Sequence, residues 1–319
     1  MVSARLPRFK RVAEIAPIQL TGRDREIIRQ VHRHRFLRSS HIVALIGGSS
    51  QQVLRRLQRL FHHGYLERPR SQIDYFHRGG SQRMVYGVGV HGTRLLQQEE
   101  NLSGRRDAGS ADNRTIGRLF LEHALLTSDV MVALELACRR NGRVRLLYSE
   151  EIPLPESTRR QHEPFHWSLT LGNRAKVGLI PDRVFGLEYL DQPAGRNRAF
   201  YFLEADRGTM PVSRQTLAKS SFARKLLAYE ATWQQNVHRN RFGFHRFRVL
   251  TVTTSAERAK NLAAAASRLE RGHGLFLFTD AEAIRAHPDV LRLPWDTAGG
   301  QQRESLTDGL SPARRLPFG

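Results

Sequence analysis

The sequence predicts a mixed α and β protein of two domains. The first is an α+β domain of three helices and a hairpin, and the second is a larger α/β domain. Three observations carry this. The chain has 319 residues, enough for two ordinary domains. Apolar residues recur at helical spacing through its first sixty residues and are followed by a strand, loop and strand pattern. From Arg114 onward the order becomes a long helix, three strands, a helix and a strand.

Residues 1–18 read as a basic arm (Arg5, Arg8, Lys10, Arg11) with Pro7 and Pro17, expected to be loose and to add phosphate contacts. Thr21 opens the first helix, with Asp24 three residues on in the place of a capping-box Glu. Ile27, Ile28 and Val31 form its apolar stripe, and Phe36-Leu37 ends the element. Ser39 caps a second helix through Ile42, Val43, Leu45 and Ile46, which Gly47-Gly48 stops. In the third helix Val53, Leu54, Leu57, Leu60 and Phe61 fall on a core face, and Gln52, Arg55, Arg56 and Arg59 on the other. A buried leucine face behind an arginine-glutamine face is the form of a helix that reads the major groove. His62-His63 ends it, touching phosphate or water.

A strand at Tyr65–Arg68, a polar loop with Gly79-Gly80 and a strand at Met84–Val88 complete the first domain. Three helices and a hairpin in this order describe a winged helix-turn-helix over residues 19–97. Arg68, Arg70, His77, Arg78 and Arg83 lie along the hairpin, suited to phosphate or minor-groove contact. His91–Leu96 reads as a short helix behind the wing. Residues 98–113, polar and holding Gly104 and Gly109, read as a linker.

The second domain spans 114–295. A long helix carries Ile116, Leu119, Phe120, Leu126, Val130, Leu134 and Ala137, and Asn141-Gly142 ends it. Strands are expected at Arg143–Ile152, at Lys176–Tyr189 with Pro181-Asp182 inside, and at Ala199–Glu204. A helix from Ser220 to Trp233, a strand at Phe247–Val252, a helix at Glu257–Leu269 and a strand at Leu275–Phe278 follow. Residues 296–319 read as a flexible tail.

Charge bounds the partner. There are 51 basic and 30 acidic side chains, a net of +21, and 46 of the basic residues are arginine. A genome rich in G and C accounts for arginine over lysine but not for the excess of positive charge. Nucleic acid is the economical polyanion partner, and the groove-reading helix makes double-stranded DNA the expected form. The single cysteine, Cys138, excludes a disulfide framework, fits a reducing cytosol and reads as a small buried residue. No apolar run approaches the ~20 residues of a membrane span, and no signal-peptide core opens the chain, so a cytoplasmic protein without membrane partners is expected.

Asp182 and Glu204 are expected at neighbouring strand ends, where two carboxylates jointly hold a divalent cation such as Mg or Mn. This arrangement resembles the PD-(D/E)xK nuclease superfamily, whose core is the restriction-endonuclease-like α/β fold. Pro181-Asp182 matches its PD, and Glu204 matches its second acid. Glu122, on the preceding helix, matches the extra carboxylate of some members. The resemblance implies Asp182, Glu204 and a lysine as catalytic residues, and Asp182, Glu204 and Glu122 as metal ligands. The lysine belongs at 206, where this chain has Asp206. Lys219 and Lys225 lie downstream, and Lys225, on a helix packed across the strands, is the better substitute. That departure points to a degenerate nuclease-like domain, with an active metal-dependent nickase or endonuclease as the alternative.

Taken whole, the chain resembles the replication-relaxation family over roughly residues 19–235. The resemblance rests on Leu20-Thr21-Gly22-Arg23-Asp24, His34-Arg35-Phe36-Leu37, Arg55-Arg56-Leu57 and Gly64-Tyr65-Leu66. It continues in Leu121-Glu122-His123, Pro181-Asp182, Glu204 to Thr209, and Lys225-Leu226 with Tyr229 and Trp233. It implies DNA binding in the replication or relaxation of a plasmid or mobile element. A homodimer and the replication or transfer machinery are the further partners to expect, and a winged-helix transcription regulator is a third reading. Other chemistries fit poorly. His32-Arg33-His34 has arginine where a relaxase needs a hydrophobic residue, Tyr229 sits on an apolar stripe, and no phosphate-binding Gly-x-x-x-x-Gly-Lys loop is present. His162, Glu163 and His166 read as a solvated loop.

Overall fold

Helix α1 (Gly22–His34) starts where the capping box forms despite its Asp-for-Glu exchange. The Thr21 N–H donates to Asp24 Oδ2 at 2.7 Å, and the Asp24 N–H donates to Thr21 Oγ1 at 3.3 Å. Ile27, Ile28 and Val31 are fully buried. Phe36–Arg38 make strand β1, which runs directly into α2 (Ser39–Ile46). The expected Ser39 cap is therefore displaced. Arg38 holds the cap position without a side-chain bond, and the Ser39 N–H donates to Met84 O. Gly47 and Gly48, at φ +70° and +75°, turn the chain where a Cβ would be strained. Ser49 then caps α3 (Ser50–His62).

Strands β2 (Leu66–Glu67) and β3 (Val85–Val88) complete an antiparallel sheet in the order β1-β3-β2. The Gln72 side chain bonds both the N–H and the C=O of Val85, pinning β3 as a neighbouring strand would. A Cβ on Gly89 would lie 2.3 Å from Gly64 O, so only glycine allows that approach. Helix α4 (Val90–Glu100) runs further than its apolar residues imply, into the span read as linker. Its last turn is tied to α1, because Arg25 and Arg29 both pair with Glu99.

The structure is a computed structural model and describes residues 6–12, 15–73, 83–100, 112–172, 175–208, 222–298 and 303–307. It is mixed α and β and divides into two units, Met1–Ser128 and Asp129–Gly319. The division falls inside α5 (Arg118–Asn141), which starts later than the pattern from Arg114 suggests. Leu121 and Leu125 pack with Phe36 and Val85 in the first unit, whereas Leu119 and Phe120 are exposed.

In the second unit β4 (Val144–Tyr148) is followed by a hairpin of β5 (Trp167–Thr170) and β6 (Lys176–Leu179). The single strand expected over Lys176–Tyr189 is thus two. Pro181, which has no N–H to give a ladder, separates β6 from β7 (Arg183–Tyr189). Then come β8 (Arg198–Asp206), α6 (Phe222–Gln234), α7 (Val237–Phe242), β9 (Phe247–Thr253), α8 (Ala256–Ala266), β10 (Phe276–Asp280) and α9 (Ala281–Ala286).

The tail is corrected too. It contributes β11 (Trp295–Thr297) and β12 (Arg303–Glu304), because Trp295 and Leu306 are buried and Leu306 O accepts from Tyr189 Oη at 3.0 Å. The sheet order is β12-β11-β10-β9-β8-β7-β4, with β8, β9 and β10 parallel and the other neighbours antiparallel. Phe202 of β8 centres the core, with Trp167, Tyr229, Phe242 and Phe247 ringed around it at 5.2–5.8 Å. Among the described residues no helix is long and apolar enough to cross a membrane.

Candidate functional site

Helix α3 buries Val53, Leu57, Leu60 and Phe61 as its spacing requires, but Leu54 is 45 % exposed. Leu54 and Phe61 lie seven residues apart on nearly the same face. Phe61 is covered by the guanidinium groups of Arg68 and Arg11, whereas the first turns of α3 stand clear. Gln52 and Arg55 are exposed there as expected, and Gln51 joins them. Arg70 and Arg83 are exposed as well. Arg78 and His77, expected at the hairpin tip, lie outside the described residues.

The other expected DNA contacts are engaged inside the first unit. Arg56 pairs with Asp24, whose side chain is fully buried, through Nε at 2.7 Å and through Nη2, which also reaches Gln19 O. Burial alone would raise the Asp24 pKa, but the bonds from Arg56 and Thr21 outweigh it and hold the carboxyl below its usual range. Arg68 is 5 % exposed, donates to Tyr86 Oη at 3.0 Å and stacks on Phe61 and Tyr86, so it is a packing residue. Arg59 donates to Pro17 O, and His63 bonds Ala16 O. His62 is buried. Burial, then the charges of Arg68 and Arg11, lower its pKa, so it stays neutral and is no phosphate ligand.

These bonds correct the reading of the arm. Arg11 bonds Phe61 O, Leu66 O and Glu67, so the described arm residues strap the C-terminal half of α3. Among the described residues its N-terminal half stays open, with Ser50, Gln51, Gln52, Leu54 and Arg55 exposed.

In the second unit the structure brings Asp182, Glu204 and Lys225 together. Asp182 precedes β7. Its N–H donates to Leu203 O at 3.0 Å, and its Oδ2 accepts from the Ala205 N–H at 2.7 Å. Glu204, in β8, is 1 % exposed. One of its oxygens accepts from Lys225 Nζ at 2.5 Å, and the other from Tyr229 Oη at 2.6 Å. Lys225 and Tyr229 are one turn apart on α6, so one helix face supplies both donors. Burial raises the Glu204 pKa, and Lys225 opposes it. Burial pulls Lys225 down, but Glu204 and Asp182 outweigh it, so its pKa rises and the ammonium stays charged. Tyr229, pushed up by burial and then by Glu204, is a donor and not a nucleophile.

Asp206, at the position where a nuclease lysine is expected, pairs with Arg258 of α8 at 2.8 Å and accepts from Thr253 Oγ1 at 3.1 Å. Glu122 lies in the first unit and pairs with Arg118 one turn back at 2.7 Å. Lys219 is outside the described residues.

Both Glu204 oxygens are taken by proton donors, and Asp182 Oδ2 caps a backbone N–H. Among the described residues no group of three or more His, Cys, Asp or Glu is placed to hold a metal ion. The residues form a closed charge cluster and do not fit a preformed Mg or Mn site. Cys138 is buried, which pushes its thiol up to about 12. The pair His166–Glu163 is exposed at 3.0 Å.

Sequence reasoning missed Tyr229 as a partner of Glu204, Arg258 as a partner of Asp206, and the exposure of Gln51 and Leu54. The i, i+4 spacing of Lys225 and Tyr229 was the available signal for the first. The geometry defines a strongly basic protein with an open helix end in one unit and a buried acid–lysine cluster in the other. The chain belongs to the replication-relaxation family, whose model matches residues 28–246. No curated protein and no solved structure matches it.

Proposed function

We propose that the protein binds duplex DNA through α3 in the replication or relaxation of a plasmid or mobile element. The observation that carries this is the open N-terminal half of α3, where Gln51, Gln52 and Arg55 project from a helix whose other face is buried. Helices α2 and α3 meet through the short turn at residues 47–49, and β2 and β3 form the arms of a hairpin. This order supports a winged helix-turn-helix, in which residues near the N-terminus of the second helix reach base edges. Arg70 and Arg83 supply phosphate contacts, and the net charge of +21 supplies long-range attraction. The test is fluorescence anisotropy with labelled duplex. Arg55→Ala weakens binding about tenfold or more, as loss of a base-contacting arginine should. Unchanged affinity would remove α3 from the interface.

For the second unit, the sheet neighbours β4-β7-β8-β9, with α5 before β4, α6 between β8 and β9, and β9 parallel to β8, support a nuclease-like domain. The convergence of Asp182, Glu204 and Lys225 favours the same reading. We take this domain to be degenerate, because Lys225 and Tyr229 saturate Glu204, and Asp206 stands where lysine is expected. The test is conversion of supercoiled plasmid, carrying the cognate origin, by wild type and Asp182→Ala with Mg or Mn. Conversion by neither is expected. Nicking by wild type alone would make the protein a metal-dependent endonuclease.

A further inference from the structure

We propose that Leu54 is a base-reading residue that recognises the 5-methyl group of thymine in the major groove. The inference rests on α3 being the DNA-reading helix. Leu54 is 45 % exposed on a helix end whose other exposed side chains are polar: Ser50, Gln51, Gln52 and Arg55. It sits one turn after Gln51, next to Arg55, in the half of α3 that the described arm residues leave open. Val53 and Leu57 on the same helix are fully buried, whereas Leu54 keeps nearly half of its surface exposed. Gln51, Gln52 and Arg55 offer hydrogen bonds to base edges and phosphates. Leucine offers none, and the one apolar feature a base pair presents in the major groove is the thymine methyl. The occupant that matches an exposed leucine among hydrogen-bonding neighbours, on a chain of +21 net charge, is therefore a thymine among the contacted bases.

The experiment uses the full chain. Duplexes are selected from a random pool, and each thymine of the selected site is replaced in turn by deoxyuridine, which lacks only the methyl. Burying one methyl corresponds to about a fourfold change in affinity. The expected result is a loss of about that size at one or two positions for wild type. Leu54→Ala should then bind the thymine and uracil duplexes equally well.

Three outcomes would overturn the proposal: no position sensitive to the methyl, sensitivity that survives in Leu54→Ala, or a selected site without thymine. A fall in sedimentation mass for Leu54→Ala, with methyl sensitivity intact, would assign the leucine to a contact between two copies. Selection of no duplex at all would reject the DNA-reading role of α3, and this proposal with it. That result is distinct from selected DNA lacking a methyl effect.

Discussion

Replacing Arg56 by alanine takes two bonds from a carboxylate that water does not reach, since the Asp24 side chain is 0 % exposed. Breaking a buried ion pair by removing one partner costs about 3–5 kcal/mol. Here Asp24 keeps the N–H and hydroxyl of Thr21, both at 2.7 Å, and the Arg56 side chain is 22 % exposed. The cost therefore falls to or just below the bottom of that range, about 2–3 kcal/mol. For a unit of this size that is roughly 6–10 °C in melting temperature. The assay is a thermal melt followed by circular dichroism, at neutral pH and in acid. Asp24 has a folded pKa below its ordinary 3.8, so its stabilisation is complete above about pH 4 and is lost as pH falls through the depressed value. The gap between wild type and variant should therefore narrow in acid. Asp24→Asn in the Arg56→Ala background should recover part of the loss, because the amide carries no charge to strand. A variant melting within about 2 °C of wild type at neutral pH would refute the reasoning.

Further expectations follow from the same contacts. Gln52→Ala and Arg55→Ala should leave the melting temperature within about 2 °C while weakening duplex binding, since both side chains are exposed. Lys225→Met should destabilise the second unit by about 2–4 kcal/mol, because it leaves Glu204 buried with one donor. In that variant the folded carboxyl holds a proton at a pH where the unfolded one, near 4.5, does not. Stability should thus rise as pH falls toward 4.5, which pH-dependent urea melts would show. Tyr229→Phe removes one bond to the same carboxylate and should cost about 1–3 kcal/mol by the same melts.

Much of the first unit was legible because its signals are local. The Thr21–Asp24 capping box, the Gly47-Gly48 turn and the buried stripe of α3 all lie within a few residues of one another. The arginines were not legible in the same way. A helical period places Arg56 on the outer face, but its partner Asp24 is 32 residues earlier, and no local pattern shows that α1 brings an acid there. Arg68 was read as a hairpin contact for the same reason, while Tyr86 and Phe61 enclose it from other elements. Leu54 shares the face of Phe61, and only the position of the arm and of Arg68 decides which end of the helix is covered.

In the second unit Asp182, Glu204 and Lys225 could be read as a set through the resemblance to the PD-(D/E)xK motif, which also drew in Glu122. How they pair could not. Two donors on one face of α6 close the Glu204 carboxylate, and Arg258 claims Asp206 from a helix about fifty residues on. The short strands β1, β5, β11 and β12 carry too few alternating residues to announce themselves. In β1, β5 and β11 a large side chain is buried, Phe36, Trp167 and Trp295 respectively, and β12 pairs with β11.

The most direct test of the central claim is duplex affinity measured as a function of salt for wild type, Arg55→Ala and Arg56→Ala. A reading helix with an arginine-rich surround predicts measurable binding at about 50 mM salt that falls steeply as salt rises, as phosphate contacts release counterions. It also predicts a clear loss for Arg55→Ala and near wild-type affinity for Arg56→Ala at a temperature where that variant is folded. No duplex binding at low salt, or equal losses for the two arginines, would contradict the account.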